Sequence, residues 1–339
     1  MNKKRVLAML LAGAMALSMT ACGGGNSAST DGSSNDGGAS ASGGSYKVSV
    51  ILKTLAAEYW QYVKSGAEDY ASEHSDKVTV EVKGPSSETA FDEMQNMIET
   101  DLSSGTYDGI VISPLQSDTA AQLVSGTKLP IVAIDTNFTA PEVKSFVGTG
   151  NEAAAKKGGE AAVEAAKAAG WTDIKCIEIA GVQGDQTNTA RMNGYKAGVE
   201  EAGGTFLSDE VQYADATADR DTTAMEAIMQ THPEGIAIIC ANNDDMAMAA
   251  ARAAQGHDAY KNTIFLGFNG DRAACEAILD GQMTMSVAQM AYEMGYKAVE
   301  TMVQVLDGET VDEFVDSGSD VVTPDNAQER LDTLKTQLH

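Results

Sequence analysis

The chain reads as an α/β protein made of two doubly wound, parallel-sheet lobes. Three observations predict this. Short, β-branched, nearly continuous apolar runs alternate with longer helical segments from residue 47 to residue 306. Strands that are apolar on both faces are those covered by helices on both sides, as in parallel sheets. The rhythm runs twice, through two consecutive sets of similar size, in a stretch long enough for one large domain or two medium ones.

The first set opens with a strand at 47–52 (KVSVIL), followed by a helix at 59–72. A strand at 78–83, a helix at 91–102 and a strand at 109–113 (GIVIS) continue it, and a helix at 119–125 and a strand at 130–134 (PIVAI) close it. The second set begins with an Ala-rich helix at 153–169 that Gly170 ends. Then come a strand at 174–180, a helix at 191–202, a strand at 205–211, a helix at 221–230 and a strand at 235–240. A helix at 245–255, a strand at 263–267, a helix at 273–279, a strand at 283–287 and a helix at 292–306 complete it. The repeat is one of topology and not of sequence. In such sheets ligands bind beyond the carboxyl ends of the strands, and two facing lobes would set those ends on either side of a cleft.

The N-terminus has a different character. Lys3, Lys4 and Arg5 precede an uncharged, mostly apolar stretch at 6–20, too short to span a bilayer comfortably. Met19-Thr20-Ala21-Cys22 then resembles the bacterial lipobox, with Met19 where Leu is commonest. That resemblance implies a signal peptide at 1–21 and lipidation of Cys22. Residues 22–45 are almost all Gly, Ser, Ala, Asn, Asp and Thr, which predicts a flexible tether. No later segment is long and apolar enough to cross a membrane.

Charge and composition narrow the function. The formal net charge is −26, and removal of residues 1–21 would take away three basic groups and no acidic ones. Such a chain repels phosphate backbones and anionic lipid heads, which argues against nucleic acid and membrane surfaces as partners. Besides Cys22 there are Cys176, Cys240 and Cys275, an odd set beside apolar runs and without metal spacing, which predicts buried free thiols. The four histidines at 74, 232, 257 and 339 are scattered, and no zinc constellation is visible. The methionines fall mostly at helical spacing, as Met225, Met229, Met246 and Met248 do, and read as core.

No catalytic set emerges. G-x-S-x-G, H-E-x-x-H and a P-loop are absent. Gly148-Thr149-Gly150-Asn151-Glu152-Ala153 resembles the dinucleotide fingerprint, but the next strand ends in Gly181 and not in an acid. A tight crossover with a helix cap is the better account. The chain is therefore expected to be no enzyme and to need no cofactor or metal.

Polar and aromatic residues gather instead at strand ends: Lys53, Tyr59, Trp60, Asp135, Asn243, Asn269 and Gln289. Planar Asp, Asn and Gln groups can each engage neighbouring sugar hydroxyls, which donate one hydrogen bond and accept others. The apolar C–H faces of a sugar can lie on Tyr59, Trp60 or Phe268. Asp and Asn also favour strand-to-helix junctions as caps.

These residues carry a resemblance to the type I periplasmic sugar-binding proteins, which deliver sugars to ABC importers, and within them to the ribose and allose binders. The carrying segments are Val50 to Leu55 with Tyr59-Trp60, Pro130 to Asp135, Arg191-Met192-Asn193-Gly194, Cys240 to Met248, Gly267-Phe268-Asn269-Gly270 and Asp280 to Gln289. They follow one another in the family's order from residue 46 to about 305. The resemblance implies two lobes joined by three crossovers, one of residues 46–149 plus 290–318, the other of 150–289 plus 319–339. It implies ligand contacts at Lys53, Tyr59, Trp60, Asp135, Asn243, Asn269 and Gln289, with Arg191 either on the ligand or supporting the interlobe structure. Ala57 and Glu58 replace the usual Asn-Pro, Asn269 replaces a usual Asp, and Thr136 stands where ribose binders carry Arg.

The implied function is that of an extracytoplasmic, lipid-anchored, monomeric solute-binding protein. It would capture a neutral monosaccharide or polyol between its lobes and dock on an ABC permease. The alternative is a sensor subunit that presents a sugar or autoinducer to a membrane receptor. Two further rivals are a Rossmann-type oxidoreductase, resting on Gly148 to Ala153, and a transcription regulator, which the signal, the charge and the lack of a helix-turn-helix before residue 46 oppose.

Overall fold

The computed structural model describes residues 45–338; the expected signal peptide, Cys22 and nearly all of the tether lie outside them. The chain runs β1 (Tyr46–Ile51), α1 (Glu58–Glu73), β2 (Val78–Lys83), α2 (Phe91–Ser104), β3 (Gly109–Ile112), α3 (Ser117–Val124), β4 (Ile131–Ile134) and β5 (Val143–Gly148). It continues through α4 (Asn151–Ala168), β6 (Lys175–Ala180), α5 (Gln186–Glu201), β7 (Thr205–Phe206), β8 (Gln212–Tyr213), α6 (Ala218–Thr231), β9 (Ile238–Ala241) and α7 (Asp244–Ala254). Then follow β10 (Ile264–Asn269), α8 (Arg272–Leu279), β11 (Met285–Gln289), α9 (Ala291–Leu306), β12 (Phe314–Asp316), β13 (Ser319–Val322) and α10 (Ala327–Gln337).

Two sheets result. The first has the order β12-β5-β4-β3-β1-β2, with every pairing parallel. The second has the order β13-β11-β10-β9-β6-β7, with β8 also on β6. Its pairings are parallel except at one edge, where β13 runs antiparallel to β11. The chain passes between the sheets three times: from β5 into α4, from β11 into α9, and from β12 to β13. At the first and third passages the amide of Ser317 donates to the Gly148 carbonyl at 2.8 Å, and the Thr149 and Ser317 hydroxyls lie 3.4 Å apart. Gly148 to Ala153, which resembled a dinucleotide loop, is this first passage.

Strand alternation builds the core. In the first sheet Val48, Val50, Val111 and Val132 face α1 and α9, while Ile51, Ile110, Ile112 and Ile131 face α2 and α3. In the second, Ile177, Ile179 and Ile239 pack with Met225 of α6 and Met246 of α7. Cys176, Ile238, Cys240, Leu266 and Val287 pack with Ala162 and Val163 of α4 and Tyr195 of α5. Helices α1 and α9 touch backbone to backbone: a Cβ on Gly66 would lie 1.9 Å from the Tyr292 carbonyl oxygen, and one on Gly295 would lie 1.9 Å from that of Val63.

Several elements differ from the expected ones. The strand read at 205–211 is broken into β7, a single turn at Ser208–Glu210, and β8, because a Ser-Asp-Glu run bends the chain between its two apolar ends. Strand β5 carries Lys144 and Ser145 among its apolar residues and so lacks a continuous apolar run. Helix α5 starts at Gln186 and not at 191, because the Asp185 side chain caps it by accepting from the Asn188 amide.

Candidate functional site

The carboxyl ends of both sheets open on one cleft of about 370 Å³, within the range of small-molecule sites. A cavity of similar size, about 380 Å³, is lined only by residues 251–284, around the starts of β10 and β11. It draws on one sheet and on the wrong strand ends for a site of this topology.

The first sheet supplies Lys53 after β1, Tyr59 and Trp60 from α1, Glu88 from the loop after β2, and Asp135 after β4. The second supplies Arg191 from α5, Asn242 and Asn243 after β9, Asn269 at the end of β10, and Gln289 at the end of β11. Eight of the nine sequence-predicted ligand residues thus line one cleft. Phe268 does not. It shares a strand face with Leu266, both in the core under α4 and α5, and it is fully buried. The Arg191 guanidinium lies over its ring at 3.8 Å and takes the place on that face where a sugar was expected.

Asp135 is the hub of the first side. Its carboxylate accepts from the Tyr59 hydroxyl at 2.8 Å and from the Thr136 hydroxyl at 2.9 Å, with the Lys53 ammonium 3.9 Å away. Burial, and then the neighbouring Asp135, push the Tyr59 phenol well above its ordinary value, so it stays a neutral donor. The Trp60 indole meets the Tyr59 ring edge-on with centroids 5.0 Å apart and donates its N–H to Glu88 at 2.8 Å. Sequence reading missed Glu88, because 28 residues separate it from the indole it holds.

The second side is held as firmly. Arg191 donates from Nε to the Asn151 side-chain oxygen and from Nη1 to the Asn242 carbonyl, each at 2.8 Å. Among the described residues its Nη2 has no hydrogen-bond partner. Asn243 caps α7 through its side-chain oxygen, which accepts from the Met246 amide at 2.9 Å and leaves its NH₂ for other partners. Gln289 donates to the Asn269 side-chain oxygen at 2.9 Å. Arg330 of α10, also missed, donates to the carbonyls of Gly270 at 3.1 Å and Gln289 at 2.7 Å, and so fixes both strand tips. The fully buried Asp244 accepts from the Ser286 hydroxyl at 2.6 Å and from the Gly270 amide at 2.7 Å, joining the β9 and β10 tips.

Two of these residues hold unusual backbone. Asp135 has φ 63° and Asn269 has φ 135°, in the left-handed half of the map that side chains rarely adopt. Such conformations cost on the order of 1–3 kcal/mol each and persist where the surroundings over-determine them. Here one falls at a cleft-lining tip of each sheet.

Most of the carboxylates around the cleft are already committed. Besides Asp135 and Glu88, Asp185 and Asp271 cap helices, and Glu58 pairs with Arg272. Burial, countered by the Ala274 amide and reinforced by Asp245 and Glu58, raises the Asp271 carboxyl to about 6. Glu178 of β6 is fully buried, and neither of its oxygens has a hydrogen-bond partner. Burial raises it to about 8, against the pull of the Arg191 charge. Cys176, Cys240 and Cys275 are buried and unbridged.

Comparison with known proteins agrees with this geometry. Residues 48–310 match the model of the periplasmic binding protein domain family. The ribose import binding protein RbsB of Escherichia coli (strain K12) is 28% identical over 268 residues, covering 78% of this chain and 86% of that protein. The D-allose-binding periplasmic protein of the same strain is 30% identical over 264 residues, covering 75% of this chain and 82% of that protein. Among solved structures, a carbohydrate transporter solute-binding protein from Agrobacterium radiobacter in complex with D-arabinose superposes with a TM-score of 0.75 at 24% identity, covering 86% of this chain and 98% of that one. The chain, with its two parallel-sheet α/β lobes, belongs to the periplasmic binding protein domain family.

Proposed function

We propose that this protein captures a neutral monosaccharide or a related polyol for import by an ABC transporter. The observation that carries the reading is the cleft itself. Planar amide and carboxylate groups from both sheets, at Asp135, Asn243, Asn269 and Gln289, stand beside the aromatic pair Tyr59 and Trp60. Sugar hydroxyls need paired donors and acceptors of this kind, and sugar C–H faces need a flat apolar partner. The relatives named above, a ribose and an allose binder, support a sugar over other solutes.

The charge of the ligand follows from which groups remain free. Lys53 stands beside Asp135, Arg191 is held over Phe268, and most of the acids act as caps or ion-pair partners. Phosphates and carboxylates call for several convergent cations or free helix N–H groups. Thr136 supplies no charge where ribose binders have Arg.

Binding works as a two-state hinge about the three passages between the sheets. The open form admits the ligand, and the closed form is favoured because the ligand then touches both lobes at once. The closed form presents a matched surface to the permease. Lipid on Cys22 would keep the monomeric protein anchored to the cell membrane outside the cytoplasm, with residues 22–45 as its tether. A thermal-shift screen of pentoses, hexoses, polyols and phosphorylated sugars tests the reading. Stabilisation by one or a few neutral members supports it, and stabilisation by phosphorylated sugars alone refutes it.

A further inference from the structure

Glu58 is one of the two departures from the family's Asn-Pro, and the contacts described so far give it no part in holding a ligand. It is the first residue of α1, on the first-sheet side of the cleft. Arg272 is the first residue of α8, on the second-sheet side, between the cleft-lining Asp271 and Ala273. The Arg272 Nε lies 3.0 Å from Glu58 Oε1. The same oxygen accepts from the hydroxyl of Tyr62 at 3.0 Å, and Tyr62 is anchored in the core with 2% of its surface exposed. The carboxylate is thus held toward the opposite lobe by a buried neighbour one helical turn away. Among the described residues this is the one salt bridge that joins the two lobes; every other pair lies within one of them.

We infer that Glu58 and Arg272 determine affinity without Arg272 touching the ligand, by forming an ion pair at the mouth that exists only when the cleft is shut. The inference rests on the binding-protein reading above. An ion pair made only in the closed state adds its energy to whatever the ligand supplies toward closure, and so enters the dissociation constant directly. It is half-exposed, with side-chain exposures of 52% for Arg272 and 27% for Glu58, so its contribution is modest and screened by salt. Affinity for a neutral ligand then acquires a salt dependence that the ligand itself cannot confer.

The test is a double-mutant cycle read by calorimetry with the tightest neutral sugar from the screen. At about 10 mM salt, where screening reaches ~30 Å, Arg272→Gln and Glu58→Gln should each weaken binding about twofold to fivefold. At about 1 M salt the wild type should fall to the level of the variants. The reversed pair, Glu58→Arg with Arg272→Glu, should recover most of the loss at low salt, which a merely structural role for either residue would not produce. Equal dissociation constants for wild type and Arg272→Gln at low salt overturn the inference. If no sugar binds the wild type, it is the sugar reading that has failed. The pair is then judged by the closed fraction of the ligand-free protein, read from the distance distribution between spin labels on the two lobes. A closed fraction about twofold to fivefold smaller for Arg272→Gln than for wild type at low salt supports it, and equal fractions overturn it.

Discussion

Glu178→Gln should make the protein more stable at alkaline pH and leave it nearly unchanged in acid. Glu178 lies in the middle of β6, fully buried, with neither carboxylate oxygen hydrogen-bonded. Burial moves it from an ordinary 4.5 to about 8, against the opposing pull of Arg191. Between those two values the folded protein keeps a proton that the unfolded chain has released. Stability from this group is therefore fully present below about pH 4.5, falls as pH rises, and is lost above about pH 8. At 1.36 kcal/mol per pH interval of one, the full loss is on the order of 5 kcal/mol, an upper bound because water entry on ionisation relieves part of it. Glutamine has nearly the same shape and never ionises, so both forms bury an unpartnered polar group in acid. The gap between variant and wild type should be about 1 kcal/mol at pH 5, where the unfolded chain has begun to release its proton, and reach about 2 kcal/mol or more at pH 9. Urea unfolding at pH 5, 7 and 9 measures it. Asp221, also buried and raised to about 7, adds a similar slope to both proteins and cancels in the difference. A gap that is the same at pH 5 and pH 9 would refute the reasoning.

Asp135→Ala and Asn243→Ala, one on each side of the cleft, should each leave ligand hydroxyls unpaired and cost roughly 1–3 kcal/mol of binding, about fivefold to 150-fold in Kd; unchanged affinity in both removes them from the site. Gly295→Ala places a Cβ 1.9 Å from the Val63 carbonyl oxygen and should destabilise the fold by about 1–3 kcal/mol, seen as a lower urea midpoint; a midpoint equal to wild type would mean that α1 and α9 part freely. Cys22→Ala should abolish incorporation of labelled palmitate and release the protein from the membrane fraction, and equal partitioning of both forms would reject the anchor.

Much of the fold was legible in the sequence because fully covered strands announce themselves. IVAI at β4 and IICA at β9 are buried at every position, and short β-branched runs of this kind read as strands covered by helices on both faces. The elements after α9 were not legible for the opposite reason. β12 (FVD) and β13 (SDVV) are short and mostly half-exposed edge strands, and α10 presents only Ala327, Leu331 and Leu334 to the interior. The tips of the strands were readable as a site because the topology sends all carboxyl ends to one side. What sequence could not show is which neighbour folding would bring to each tip. Glu88 reaches Trp60, Arg330 reaches Gly270 across 60 residues, and Arg272 reaches Glu58. Phe268 illustrates the limit of reading a tip residue by type. An aromatic next to Asn269 suggests a sugar platform, yet adjacent strand residues face opposite ways, and the parity that sets Asn269 in the cleft sends Phe268 into the core.

The central claim is that the cleft binds a neutral polyol through groups on both lobes. Competition calorimetry on the full panel, with wild type and Asp135→Ala in parallel, tests it most directly. One site per chain is expected, tightest for a neutral monosaccharide or cyclic polyol and weakened about fivefold or more by the substitution. An aldonic acid or sugar phosphate that binds wild type more tightly than every neutral sugar in the panel would contradict it.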